Sequence, residues 1–134
     1  TDVDHLVSRS TTTLSGGERA RAMLARAIVT GCEFLLADEP IEALDPYHQM
    51  KIMDILKELA ETGHGVLLVL HDVNFAQKYC DELILLNEGQ IISKGLPEDV
   101  LSDENLLKAY QVKATRLEKN GEVFIIPTSR INQD

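Results

Sequence analysis

Basic residues are scarce in this chain: 13 Lys and Arg stand against 22 Asp and Glu in 134 residues, for a formal charge of −9. That balance argues against nucleic acid or an anionic membrane surface as a direct partner, and ordinary solubility accounts for it. Cysteine is almost absent. Cys32 and Cys80 stand alone, without metal-ligand spacing, which suits a reduced, cytoplasmic protein rather than a disulfide scaffold. No apolar run approaches the roughly 18 residues that span a bilayer. The opening Thr1-Asp2-Val3-Asp4 is not a signal peptide and carries no initiator Met, so the chain is expected to be cut at its N-terminus. There is no internal repeat and no low-complexity segment. None of the eight glycines is followed by Lys, which excludes Gly-x-x-x-x-Gly-Lys-Ser/Thr, the loop that cradles phosphates.

What is present is enough for one ordinary domain. The 44% hydrophobic content is that of a globular protein. Residues 1–13 are polar and Thr-rich and read as the tail of another element plus a loop. Ser15 then fits a helix N-cap, with Glu18 completing a capping box. The helix runs over about 16–30 and stops at Gly31. Residues 34–38 (Phe-Leu-Leu-Ala-Asp) and 66–70 (Val-Leu-Leu-Val-Leu) read as buried parallel strands. Between them Asp45-Pro46 opens a second helix, with Met50, Met53, Leu56 and Ala60 on one face and a stop near Gly63. A short helix over 73–80 is followed by hairpin chemistry over 83–92, turning near Asn87–Gly89. Pro97 starts another helix and Ser102 caps one over 104–110. Residues 114–121 look charged and loop-like, and Val123–Pro127 a late strand. Alternating strands and helices imply a layered α/β sheet.

Two segments carry chemistry. In Leu14-Ser15-Gly16-Gly17-Glu18 the glycines admit close approach of a ligand to the backbone. The first-turn N–H groups and the Ser15 hydroxyl offer donors to an anion such as a γ-phosphate; a plain helix cap explains the same residues. In Phe34–Pro40 an apolar strand ends in Asp38 and Glu39. Acids at the C-terminal end of a buried strand sit where open α/β sheets bind ligands. Asp38 suits Mg²⁺ held through water, and Glu39 suits proton acceptance from an attacking water. His71 directly follows the second strand, and its imidazole can hydrogen-bond a phosphate. His5, His48 and His64 lack such context.

These residues resemble the ATP-binding cassette (ABC) ATPases. Leu14–Glu18 is similar to the signature motif, Phe34–Pro40 to the Walker B motif with its catalytic glutamate, Ala43-Leu44-Asp45 to the D-loop, and His71 to the switch histidine, in the family's order. The family more often has a small residue where Glu42 stands. Leu24–Ala27, Ala43–Pro46 and Ile125–Pro127 make the importers of iron–siderophores, haem or cobalamin the most similar subgroup.

The resemblance implies a partial P-loop NTPase fold of class α/β, a mostly parallel sheet flanked by helices that lacks the Walker A strand and loop. It divides the chain into the end of a helical subdomain (1–32), a catalytic α/β core (33–112) and a C-terminal extension (113–134). It assigns Glu39 and His71 to catalysis and Asp38 to Mg²⁺ through water. Leu14, Ser15, Gly16, Gly17 and Glu18 would bind ATP in trans, and Ala43, Leu44 and Asp45 would form the D-loop. The implied ligands are ATP and Mg²⁺. The implied partners are a second ATPase subunit, transmembrane permease subunits and, indirectly, a periplasmic or extracellular binding protein, with no nucleic acid. The implied place is the cytoplasmic face of the cell membrane, peripherally attached.

Without a phosphate loop the chain by itself is expected not to bind ATP in cis and to be inactive alone. In folds of this kind the Walker A strand lies between the strands at 66–70 and 83–87. Its absence leaves an open edge, and self-association, rearrangement or aggregation is expected. The alternative is a non-catalytic fragment that dimerises or docks on a permease. ABC ATPases of translation or DNA repair are disfavoured: Glu42-Ala43 precede Leu44-Asp45 where translation factors show Asn-His, and no heptad run marks a coiled coil.

Overall fold

In a computed structural model the described residues are Val3 and 10–131. Most of the segment 1–13 therefore lies outside the described residues, as do His5 and the last three residues of the C-terminal extension. Thr11–Thr13 form a 3₁₀ turn. The chain divides into two compact units, Thr1–His71 and Asp72–Asp134.

The first unit holds helix α1 (Gly16–Val29), strand β1 (Phe34–Asp38), helix α2 (Pro46–Glu61) and strand β2 (Gly65–Val69). The two strands pair in parallel, Phe34 opposite Gly65 through Asp38 opposite Val69. α1 opens on Ser15, whose Oγ accepts the Glu18 N–H at 3.2 Å while Glu18 Oε2 accepts the Ser15 N–H at 2.8 Å. α2 opens on Asp45 with Pro46 at its first position. α2 packs on β2, and Ile52, Met53 and Leu56 are buried. Met50, placed by sequence on the buried face, is largely exposed. At 3.6 residues per turn the stripe centres on 52, 53 and 56, and Met50 lies off its edge.

Among the described residues only one face of the β1–β2 pair is covered. Leu35 is buried, whereas Leu36 and Leu67, opposite each other, are 73% and 59% exposed, with Phe34 and Val69 also open. The Phe34 ring lies over Gly65. Parallel strands are ordinarily covered on both faces, and a contiguous apolar patch drives association. Light scattering on the purified chain should give a species heavier than its 14.9 kDa, and L36K/L67K should lower that mass. A compact monomer of the unsubstituted chain would contradict this expectation.

The second unit runs α3 (Val73–Tyr79), β3 (Leu83–Asn87), β4 (Gln90–Gly95), α4 (Pro97–Val100), α5 (Asp103–Tyr110), β5 (Val112–Lys119) and β6 (Glu122–Arg130). β3 and β4 form one antiparallel hairpin and β5 and β6 another. Each turns through two residues of positive φ, Glu88-Gly89 and Asn120-Gly121, as tight hairpins favour. Leu101, Leu106 and Ile125 form its core, flanked by Val73, Leu83 and Ala114. Asn74 clamps β6, its Nδ2 donating to the Ile125 carbonyl at 3.2 Å and its Oδ1 accepting the Ile125 N–H at 2.7 Å. The α/β class holds. Of the three ladders among the described residues, one is parallel and two are antiparallel.

Of the segment 114–121, expected to be a loop, residues 114–119 are strand and Asn120-Gly121 form the turn. Its charges hid the pairing: Arg116 bonds the Asp103 carboxylate and the Leu101 carbonyl, so a polar side chain is part of the packing.

Candidate functional site

Because β1 and β2 run in parallel and in register, their C-terminal ends lie side by side. Asp38 closes β1, Glu39 follows it, and His71 stands two residues beyond β2. The Asp38 carboxylate is exposed and has no hydrogen-bond partner among the described residues. Glu39 adopts φ +48°, and its N–H donates to the Val69 carbonyl at 3.1 Å. That bond prolongs the ladder by one residue just as the chain turns away.

The turn Glu39-Pro40-Ile41-Glu42 is closed by the Glu42 N–H donating to the Glu39 carbonyl at 3.3 Å. Ile41 and Leu44 are buried anchors, and Gln49 Nε2 donates to the Ile41 carbonyl at 3.1 Å. Asp45 Oδ1 accepts the His48 N–H at 3.1 Å, and Asp45 Oδ2 meets His48 Nδ1 at 2.6 Å. The His48 side chain is the main reason that the Asp45 carboxyl is held below its ordinary range.

Glu39 Oε1 is hydrogen-bonded to His71 Nε2. The Glu39 side chain is 29% exposed and that of His71 75%. Glu42 follows three residues on in the same turn. The neighbouring Glu42 carboxyl, and after it the hydrogen bond with His71, push the Glu39 pKa down, while the neighbouring Glu39 and its charge push that of Glu42 up.

The Ser15-Gly16-Gly17 turn packs beside the loop at 43–44. A Cβ on Gly17 would lie 3.1 Å from Leu44 Cδ2 and 3.4 Å from the Ala43 carbonyl, and one on Gly16 3.9 Å from Ala43 Cβ. At Gly17 a side chain would press on Leu44, so close approach rather than φ favours glycine there; at Gly16 a Cβ would make only ordinary contact. The Gly16 and Gly17 N–H groups sit in the first helical turn, where no intrahelical acceptor exists, whereas the Glu18 N–H is taken by Ser15 Oγ.

The structure thus groups Asp38, Glu39 and His71 at one strand end, and Leu44, Ala43, Gly16 and Gly17 at a second contact. Sequence reasoning named Glu42 and His48 but assigned neither a role. Both lie three residues after an assigned acid, Glu39 and Asp45. In a β-turn and in the first turn of a helix that spacing brings side chains together. Among the described residues no group of three or more His, Cys, Asp or Glu side chains could hold a metal ion alone. The donor chemistry fits Mg²⁺ only in the form that uses one carboxylate, water and substrate phosphates, with Asp38 as that carboxylate.

A family model described as ABC transporter matches residues 1–42. The hemin import ATP-binding protein HmuV of Hahella chejuensis is 40% identical over 118 residues, 83% of this chain and 46% of that protein. The cobalamin import ATP-binding protein BtuD of Halobacterium salinarum is 36% identical over 114 residues, 84% of this chain and 29% of that protein. A structure described as a metal-chelate type ABC transporter in an inward-facing conformation superposes with a TM-score of 0.83 at 28% identity. It covers 96% of this chain and 53% of that one. This chain belongs to the ABC transporter ATP-binding family. It is the C-terminal part of the ATP-binding domain and spans about half the length of the curated relatives it matches. ABC ATPases bind and hydrolyse ATP as full-length proteins. No helix among its described residues is long and apolar enough to cross a membrane.

Proposed function

We propose that the chain is the catalytic C-terminal part of the ATP-hydrolysing subunit of an ABC importer for iron–siderophore, haem or cobalamin. The observation that carries this reading is the Glu39–His71 hydrogen bond at the C-terminal end of a parallel strand pair, directly after Asp38. Glu39, ionised and oriented, accepts the proton of an attacking water. His71 donates to the γ-phosphate and keeps Glu39 aligned. Asp38 would hold Mg²⁺ through water, and that ion would neutralise phosphate charge.

The donors of Ser15, Gly16 and Gly17, within the segment Leu14–Glu18, serve a nucleotide held by a second ATPase subunit, and Ala43–Asp45 pass its state between the two sites. The contact of Gly17 with Leu44 supports that coupling. In this reading residues 1–32 end the helical subdomain, 33–112 form the catalytic core and 113–134 the extension. The subunit lies peripherally on the cytoplasmic face, against permease subunits that receive substrate from a binding protein. Relatives named for hemin and cobalamin import, and a dimeric ATP-binding cassette structure bound to ADP and Pi, support these partners.

ATP turnover by the full-length protein tests the reading: Glu39→Gln should abolish it and leave ATP binding intact. The sequence lacks Gly-x-x-x-x-Gly-Lys, which favours a second reading for this chain alone, a non-catalytic fragment that dimerises or docks on a permease. The chain should then keep its melting temperature in saturating Mg-ATP, because only a ligand bound by the native state raises it. An upward shift would show binding in cis.

A further inference from the structure

We propose that His48 is a positioning residue, which holds the Asp45 carboxylate against the start of α2 and so sets the Ala43–Asp45 loop that couples two ATPase sites. The inference rests on the reading of Ala43–Asp45 as that coupling loop and adds a residue to it. The acceptors of Asp45 argue first. Its carbonyl accepts the Gln49 N–H at 2.9 Å, its Oδ1 accepts the His48 N–H at 3.1 Å, and its Oδ2 meets His48 Nδ1 at 2.6 Å. An N-cap needs only one side-chain oxygen, so the Oδ2 bond is surplus to capping. The pair is also too open to water to add much stability, with the Asp45 side chain 59% exposed and that of His48 23%. What the second bond supplies is orientation. A carboxylate with one bond can still swing about its terminal torsion; two bonds fix where its oxygens point.

The surroundings of the pair argue second. The Asp45 carboxylate is ionised, held below its ordinary range chiefly by His48. Oδ2 can therefore only accept, and His48 Nδ1 carries the proton. The Tyr47 and His48 rings meet in a T, with centroids 5.2 Å apart at 85°, and Lys51 Nζ lies 5.9 Å from the Tyr47 centroid. The imidazole is thus braced on a second side. Just before Asp45, Leu44 is buried and lies against Gly17 of the Ser15-Gly16-Gly17 turn. Just after it, Gln49 ties down the Ile41 carbonyl. A shift of Asp45 is therefore passed to the contact between its loop and the glycine turn. Misplacement by about 1 Å, even away from the chemistry, can cost a factor near 100, so partial loosening of this loop should be plainly visible in turnover.

The test uses the full-length protein that carries these residues. His48→Ala and Asp45→Ser each delete only the Oδ2–Nδ1 bond, because Ser also caps helices and residue 48 keeps its backbone N–H. Each should lower kcat about tenfold and leave the KM for ATP and the melting temperature unchanged. The double variant should be no slower than either single one, since both remove the same bond. His48→Asn, whose Nδ2–H stands in for Nδ1–H, should restore most of the loss. A merely structural contact would lower the melting temperature and leave the kcat of the folded protein alone. Wild-type kcat in His48→Ala, single effects that multiply in the double variant, or His48→Asn as slow as His48→Ala overturns the proposal. A second readout does not depend on hydrolysis: in ¹⁵N-histidine NMR at fixed pH, the His48 Nδ1 resonance should move in Asp45→Ser, and an unmoved resonance overturns the proposal. The underlying reading fails in a different way. Normal kcat in Asp45→Ser would remove the loop from coupling, whereas a slow Asp45→Ser beside a normal His48→Ala would remove His48 alone.

Discussion

Glu39→Gln in the full-length protein is expected to cut ATP turnover by about 100-fold to 10,000-fold, the span that a positioned general base contributes, and to leave the Kd for Mg-ATP unchanged. Gln matches the shape of Glu, so the turn from Glu39 to Glu42 and its backbone bonds, including the Glu39 N–H to the Val69 carbonyl, survive. What is lost is the anionic oxygen that faces His71. The amide is too weak a base to take a proton from water. Binding is spared because the proposed phosphate contacts belong to His71, to the ion at Asp38 and to the partner's donors. Single-turnover hydrolysis together with equilibrium nucleotide binding separates the two effects. Turnover within a few-fold of wild type would remove Glu39 from the chemistry. Loss of binding as well as turnover would place it in the nucleotide pocket.

The elements that define this site were legible because their signals are local. Ser15 with Glu18, Asp45 with Pro46, and the apolar runs that end at Asp38 and Leu70 each announce their own structure within a few residues, and α1, β1, α2 and β2 lie where those signals put them, to within a residue or two. The β5–β6 hairpin was missed. Its turn, Asn120-Gly121, is the strongest short-range hairpin signal there is, but Lys113, Arg116, Glu118 and Lys119 masked the strand on its N-terminal side. Strand formation there follows from pairing with β6 and burial of Ile125, which intrinsic preference does not report.

The Glu39–His71 contact spans 32 residues and follows from parallel pairing once both strands are known. The Asp45–His48 contact was illegible for another reason. It depends on the conformation of one cap and on which way two side chains point, and a sequence carries those only as spacing.

Met53→Ala is the second substitution with a large expected effect, on stability rather than chemistry. Met53 is 1% exposed, as is its neighbour Ile52, on the face of α2 that packs on β2. Truncating a buried Met removes its transfer free energy and leaves a cavity, at a cost of about 2–5 kcal/mol. A domain is ordinarily stable by only about 5–15 kcal/mol. Chemical unfolding should therefore show a markedly lower midpoint at an unchanged slope, since the area exposed on unfolding hardly changes. Met50→Ala is the control. It lies on the same helix but is 46% exposed, and should shift stability by no more than about 0.5 kcal/mol.

The consequence reaches the site. α2 begins at the Asp45 cap, and its Gln49 side chain bonds the Ile41 carbonyl in the turn that presents Glu39 and Glu42. β2, which α2 covers, leads directly into His71. Loosening α2 therefore loosens both strand-end partners at once. A Met53→Ala protein assayed well below its unfolding temperature should lose kcat beyond what its folded fraction explains, whereas Met50→Ala should not. Equal effects from the two substitutions would mean that the packing of α2 does not set the geometry of Glu39.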